Sequence, residues 1–468
     1  MQYISTRDGG APVDFDDALL RALAPDGGLF MPASWPRIDA EEIAGFADQS
    51  FAGVAARVLA PFTAPCFDAD TLGVLTKRAF SSFDHPAVAP LRRIGDEDWI
   101  LELFHGPTLA FKDVAMQALG LMFEIALERR DRRATIIGAT SGDTGAAAIE
   151  AFSGLDRVDI FILHPEGRVS GVQRRIMTSV DAPNVFNVAV EGDFDDCQRI
   201  VKALFRDHQF ADDLSLGGVN SINWARLAVQ IVYYFTAAAS LGAPETSVSF
   251  SVPTGNFGDV FAGYAAKKMG LPIDRLCVAV NDNDILHRTL TTGDYAPRAV
   301  SMTTSPSMDI QVASNFERLV FEATGRDGAA AAAFAEKAAA GEAVAVPASA
   351  LAEMRRDFTS EAATTEETER AIARHYKAHN ILIDPHTAVG VVAAEKARSA
   401  GALRGPVVTL ATAHPAKFPE AVRAASGVSP ALPERLSDLY EREERCLSAP
   451  ADVEAIAAIL RAHARAGR

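Results

Sequence analysis

The chain has 468 residues, 49% hydrophobic and 23% charged, with 45 Lys and Arg against 61 Asp and Glu for a formal net charge of -16. That composition belongs to a globular protein of roughly two to four domains, each able to bury its own core, and it excludes disorder for the bulk of the chain. The acidic balance argues against nucleic acid or an anionic membrane as the main partner, because both are bound through clustered Lys and Arg.

In chain order, Met1 to Asp8 lacks a basic segment followed by an apolar one, so no secretory signal is read. Residues up to about Asp98 mix helical patterns with turn punctuation, as in Ala24-Pro25-Asp26-Gly27-Gly28 and Pro32-Ala33-Ser34-Trp35-Pro36. From Trp99 onward, short apolar runs alternate with helical stretches: Ala134 to Gly138, Val158 to Leu163, Val185 to Val190, Val248 to Val252, Leu276 to Val280 and Pro406 to Leu410. This repetition predicts an α/β fold with a largely parallel sheet, whose ligands sit at the carboxyl ends of the strands. The apolar stretch Ala228 to Ala243 is shorter than the roughly 20 residues of a membrane span. The Ala-rich segment Gly325 to Ala352, interrupted by Gly341 and Pro347, predicts a surface helical insertion. Thr364 and Glu367 form a capping box that starts a helix over Thr365 to His379, with a turn following at Asp384-Pro385-His386-Thr387. Cys66, Cys197, Cys277 and Cys446 are widely separated, with neither a Cys-x-x-Cys pair nor a zinc-like spacing, so reduced thiols and no metal site are expected in a cytoplasmic protein.

Five segments carry chemistry. In Leu103-Phe104-His105-Gly106-Pro107-Thr108-Leu109-Ala110-Phe111-Lys112-Asp113, a lysine stands at the mouth of an apolar helix. A positive helix end and apolar surroundings favour the neutral, nucleophilic amine, although a surface lysine opening a helix fits the segment alone equally well. Strand Ala134 to Gly138 runs into Thr140-Ser141-Gly142-Asp143-Thr144-Gly145, and strand Val248 to Val252 runs into Thr254-Gly255-Asn256-Phe257-Gly258-Asp259. Both loops crowd hydroxyls and backbone amides at a helix start, which fits a carboxylate or phosphate or else a plain tight turn. Neither has the Gly-Lys-Ser/Thr of a nucleotide loop or a GxGxxG spacing. In Asn220-Ser221-Ile222-Asn223-Trp224-Ala225-Arg226, Arg226 offers a bidentate phosphate contact, and a capped helix with a surface arginine is the alternative. Strand Val407 to Leu410 leads into Ala411-Thr412-Ala413-His414-Pro415-Ala416-Lys417-Phe418, where a hydroxyl ends a buried strand.

In their order and separation these motifs closely resemble the threonine synthase family of the bacterial and fungal type, over nearly the whole chain, including Tyr3-Ile4-Ser5-Thr6-Arg7 and Ala24 to Phe30 near the amino terminus. The resemblance implies a tryptophan-synthase-like, fold type II arrangement of two open, largely parallel-sheet domains. Its expected boundaries are an N-terminal segment at 1–98, a smaller domain at 99–240 and a larger one at 241–468. It implies that Lys112 carries pyridoxal 5'-phosphate covalently, that Gly255, Asn256, Phe257, Gly258 and Asp259 hold the cofactor phosphate, and that Thr412 meets the pyridine nitrogen. A hydroxyl there leaves that nitrogen largely unprotonated and limits its strength as an electron sink. Thr140, Ser141 and Thr144 would receive the substrate carboxylate. Asp143 stands beside the cofactor where relatives carry Asn. Asn220, Ser221, Asn223 and Arg226 would grip a substrate phosphate. The implied reaction is O-phospho-L-homoserine plus water to L-threonine plus phosphate, by γ-elimination and addition of water at Cβ with Lys112 as the base. The implied protein is a cytoplasmic monomer or homodimer without metal, nucleic acid or membrane. A related phospho-lyase releasing a 2-keto acid and ammonia is the alternative, and a non-catalytic ligand-binding homologue is a third reading.

Overall fold

A computed structural model describes residues 1–140, 142–218 and 221–466. The expected site residues Ser141 and Asn220 lie outside the described residues. The chain divides into two compact units, one of Met1–Phe111 with Ser221–Pro430 and one of Lys112–Asn220 with Ala431–Arg468.

The first unit is built on a six-stranded sheet in the order Phe358–Ala362, Ile273–Val280, Val248–Pro253, Val407–Ala411, Asp98–Glu102 and Leu91–Arg93. The first five strands are parallel, and only Leu91–Arg93 runs antiparallel at the edge. Burial on both faces explains the continuous apolar runs that mark such strands in sequence, as at Val248–Pro253, where all six residues are buried. Helix Pro385–Ser399 packs across four of the strands, filling the space with Ala388, Val389, Val391, Val392 and Ala393. Helix Trp224–Ser240 contains most of the long apolar stretch and is buried almost throughout, so its hydrophobicity serves the core. Among the described residues no helix is long and apolar enough to cross a membrane.

The second unit carries a five-stranded parallel sheet in the order Leu447–Pro450, Val185–Glu191, Val158–Pro165, Ala134–Ala139 and Leu216–Gly217. Its central strand Val158–Pro165 is buried along its whole length. Helices Phe194–Arg206 and Val453–His463 close the apolar cluster around Phe161, Val188 and Val190.

The structure alters some of these expectations. The first 98 residues form no unit of their own: Tyr3 and Phe62 pack their rings on Trp224, and strand Asp98–Glu102 joins the six-stranded sheet. Residues 431–466 leave the larger body, because Leu447–Pro450 pairs with Val185–Glu191. The Ala-rich segment is helical and at the surface as read, in two helices, Gly328–Ala339 and Ala348–Asp357, whose inner faces bury Phe334, Ala338, Leu351 and Met354. Asp384 is the N-cap of helix Pro385–Ser399, accepting from the amides of His386 and Thr387, where a free turn was expected. Helix Thr365–His379 and its capping box occur as read.

Candidate active site

Lys112 is the first residue of helix Lys112–Arg129 and is only 8% exposed. Burial removes the surface-lysine alternative. Its Nζ donates to Asp143 Oδ2 at 3.2 Å, and Asp143 Oδ1 accepts from Gln173 Nε2 at 2.8 Å. Asp143 opens helix Asp143–Phe152, which packs against the lysine helix so closely that a Cβ on Gly120 would stand 2.2 Å from the Ala151 carbonyl oxygen. Backbone contact between the two helices therefore sets the spacing of amine and carboxylate. The hydroxyl oxygen of Thr140 accepts from the amides of Gly142 and Gly145 at 3.0 and 2.9 Å, fixing the loop, while Thr144 is half-buried.

The residues that precede Lys112 in the chain are clamped to the end of strand Val407–Ala411. The Phe111 amide donates to the Thr412 carbonyl at 2.8 Å, the His414 amide to the Leu109 carbonyl at 3.0 Å, and the fully buried Lys417 Nζ to the Thr108 carbonyl at 2.8 Å. Lys417 is thus a structural cation and not a solvated one. Thr412 itself is buried.

In the same unit, strand Val248–Pro253 ends at Thr254 and helix Gly258–Lys268 begins after a tight corner. Phe257 adopts a left-handed backbone with φ 66 and anchors its ring on Phe316 and Phe358. A Cβ on Gly255 would stand 2.7 Å from the Ser307 carbonyl oxygen, so only glycine fits. No side chain caps this helix, and among the described residues the amides of Gly255, Asn256, Phe257, Gly258 and Asp259 donate to no protein acceptor. Five uncommitted donors at a helix start form an anion cradle. Asn315 braces it: its amide and Nδ2 both donate to the Asn256 carbonyl, and Nδ2 also reaches the Ser221 carbonyl at 3.1 Å. Arg318 donates to the Ile222 carbonyl at 2.7 Å and holds the next residue of that segment.

Asn223 caps helix Trp224–Ser240, accepting from the Ala225 amide and donating to the Leu19 carbonyl, so both ends of its side chain serve the fold. Arg226, on the first turn, is 4% exposed, and its Nη1 is buried without a hydrogen-bond partner. Among the described residues no ion pair reaches it, and burial pushes its guanidinium down to about 10, opposed by Tyr233 and Asp259. The side chain of Asp259 turns inward, accepting from Tyr233 and Tyr234, so it does not line the cradle. The structure thus gathers Lys112, Thr140 and Asp143 in one unit, and Ser221, Arg226 and the glycine loop in the other. Gln173, Asn315, Arg318 and the two tyrosines were missed. A Ser170-x-x-Gln173 capping spacing was visible, but its side-chain direction was not.

Three family models match the chain: threonine synthase N terminus over residues 2–80, pyridoxal-phosphate dependent enzyme over 86–354, and threonine synthase C-terminal over 387–460. A threonine synthase of Pseudomonas aeruginosa is 50% identical over 470 residues, covering 100% of both chains. The chain belongs to the threonine synthase family. Among solved structures, the PLP-bound threonine synthase of Brucella melitensis superposes with a TM-score of 0.97 at 52% identity over 100% of both chains. The yeast threonine synthase does so with 0.93 at 39% identity over 98% of each. The residues of this threonine synthase family member fit the cofactor that the family uses. A buried amine is available at Lys112, and the Gly255 to Asp259 amides form a cradle that phosphate oxygens would fill.

Proposed function

We propose that the chain converts O-phospho-L-homoserine and water to L-threonine and inorganic phosphate, the last step of threonine biosynthesis. The observation that carries this reading is the Arg226 guanidinium, buried and without an ion pair among the described residues, in the same unit as a separate set of five amides that donate to no acceptor there. A buried cation without a partner is costly to the fold, and an incoming phosphate relieves that cost with charge-assisted hydrogen bonds. Two anion sites match two phosphates, one on the cofactor and one on the substrate.

In this reading Lys112 holds the pyridoxal phosphate, the Gly255 to Asp259 amides hold its phosphate, and Thr412 serves its ring nitrogen. Pyridoxal phosphate, when bound, supplies the electron sink for carbanion chemistry at the substrate's Cα and Cβ. Lys112 Nζ moves the protons at those carbons, and Asp143, itself oriented by Gln173, keeps the amine aimed and charged when it must give a proton back. Thr140, Ser141 and Thr144 take the substrate carboxylate, and Arg226 with Asn220 and Ser221 takes the phosphate, which departs from Cγ. Asn223 contributes by fixing the helix that presents Arg226. The class of reaction, an amino-acid biosynthesis on a small charged substrate, supports a cytoplasmic enzyme, monomer or homodimer.

The test is to incubate the purified, cofactor-loaded protein with O-phospho-L-homoserine and quantify threonine, 2-oxobutyrate and phosphate together. Equimolar threonine and phosphate is the expected result. Phosphate with 2-oxobutyrate would replace the reading with the lyase, and no phosphate would overturn the substrate.

A further inference from the structure

The chemistry above uses the backbone amide of Asp259 and leaves its carboxylate without a task. Helix Trp224–Ser240 places Arg226, Tyr233 and Tyr234 on one face, two turns apart, against the first turn of helix Gly258–Lys268. The Tyr233 hydroxyl donates to Asp259 Oδ1, and the Tyr234 hydroxyl donates to Oδ1 at 3.0 Å and to the Asp259 carbonyl at 2.9 Å. Oδ2 is buried with no partner, as is Arg226 Nη1. Two buried groups of opposite charge, on helices packed against each other, thus each keep an unsatisfied atom. Anchoring the tyrosines alone requires only a carbonyl oxygen, which an amide supplies without the cost of a buried charge.

We infer that Asp259 is the counter-charge of the substrate-phosphate site: placed on the helix that packs against Arg226's own, without pairing it, the carboxylate weakens that site's hold on a dianion and so lets phosphate leave. This rests on the reading of Arg226 as the phosphate ligand. The carboxyl's ionisation is poised to matter, because burial lifts it to about 6 against the hydrogen bonds of Tyr233 and Tyr234 and the charge of Arg226. Those three groups all lie on helix Trp224–Ser240. Of the other elements packed on helix Gly258–Lys268, strand Val248–Pro253 has no ionisable group, strand Ile273–Val280 has Asp274, Arg275 and Cys277, and helix Phe316–Ala323 has Glu317, Arg318 and Glu322; of these Glu317 is taken by Arg7, Arg318 by Asn315 and two backbone carbonyls, Glu322 by Arg326, and Arg275 by the Arg355 and Arg356 carbonyls. Below that value Asp259 is neutral and Arg226 meets the anion unopposed; above it the carboxylate competes.

Sulfate is the probe, since it stays a dianion across the range, and the holoenzyme is used so that the cofactor cradle is already filled. Its affinity is measured by calorimetry and by competition with O-phospho-L-homoserine. In the wild type it should fall about tenfold between pH 5 and 7.5, whereas Asp259→Asn should hold sulfate at the tight value throughout. Equal sulfate affinity in variant and wild type at every pH overturns the inference, as does loss of cofactor without a change in sulfate binding. Arg226→Ala separates the two levels. If it binds sulfate as the wild type does, the phosphate-site reading itself fails; if it weakens sulfate while Asp259→Asn changes nothing, only the counter-charge fails. Should Asp259→Asn not fold, Tyr233→Phe gives the same decision: removing one donor should move the midpoint of the sulfate profile upward, and an unmoved midpoint overturns the inference.

Discussion

Lys112 keeps its amine out of water and against the Asp143 carboxylate, an arrangement with no use in a surface helix. Lys112→Ala should therefore lose the visible absorbance of bound cofactor and lower turnover by at least roughly 10³-fold, read by spectroscopy and product assay. Arg226→Ala should raise KM for O-phospho-L-homoserine by roughly 10- to 100-fold with cofactor retained, the value of a charged hydrogen-bonded contact. Loss of cofactor in that variant would exchange the two phosphate assignments. Asp259 makes a prediction about the fold itself. Its folded value, about 6, lies above the unfolded value of about 3.9, so the folded state binds more protons between the two. Stability contributed by this group is present at low pH and is lost as pH rises through 6. Asp259→Asn should be the more stable protein at pH 7.5, by on the order of 2–3 kcal/mol, and show no such advantage at pH 4, as urea melts at the two pH values will register. The lysine, the glycine loop and Arg226 were legible because each sits in a compact local motif. Gln173, Asn315 and Arg318 were not, because their roles depend on partners 30 or more residues away, or on a side-chain direction, and neither leaves a local pattern.

The strand-to-helix elements that carry those motifs were readable from short apolar runs, and their ends shifted by one to a few residues once pairing partners were known. Helix Thr365–His379 was found to the residue because its capping box is written in two side chains three positions apart. The Ala-rich pair of helices was legible as surface helix, but alanine signals helix without saying which face is covered, so the burial of Phe334 and Met354 could not be read. Contact between elements is where the site's accuracy resides. Gly120 lets the helices of Lys112 and Asp143 meet, so Gly120→Ala must push them apart. Overpacking of this kind costs roughly 1–3 kcal/mol, and the expected result is a lower melting temperature together with a kcat loss larger than any change in KM. Preserved kcat in a folded Gly120→Ala variant would show that the amine and carboxylate tolerate displacement.

At the level of the whole molecule, sequence reading groups neighbours in the chain, and that habit produced contiguous domains at 1–98, 99–240 and 241–468. The actual units are discontinuous: Lys112–Asn220 is inserted into one body and reclaims Ala431–Arg468 from the far end of the chain. No local signal marks such a return, since strand Leu447–Pro450 becomes recognisable only through its pairing with Val185–Glu191. Truncation after Pro430 should therefore damage the unit that contains Lys112 and leave its apolar cluster without Ala449, Ile456 and Leu460. Dye binding, sedimentation and loss of cooperative unfolding are the expected signs, and a soluble, cooperatively folding truncation would contradict the role given to that terminal segment.

The position of strand Val407–Ala411 between Val248–Pro253 and Asp98–Glu102 has a consequence for biosynthesis of the chain. Asp98–Glu102 leaves the ribosome roughly 300 residues before the strand it must pair with, a wait of about 15 to 60 s at ordinary elongation rates. The inserted strands between Ala134 and Gly217 need no such wait among themselves and can assemble while the first 111 residues are still held open. The inserted strands thus have all of one another in hand before the six-stranded sheet of the first unit can be completed.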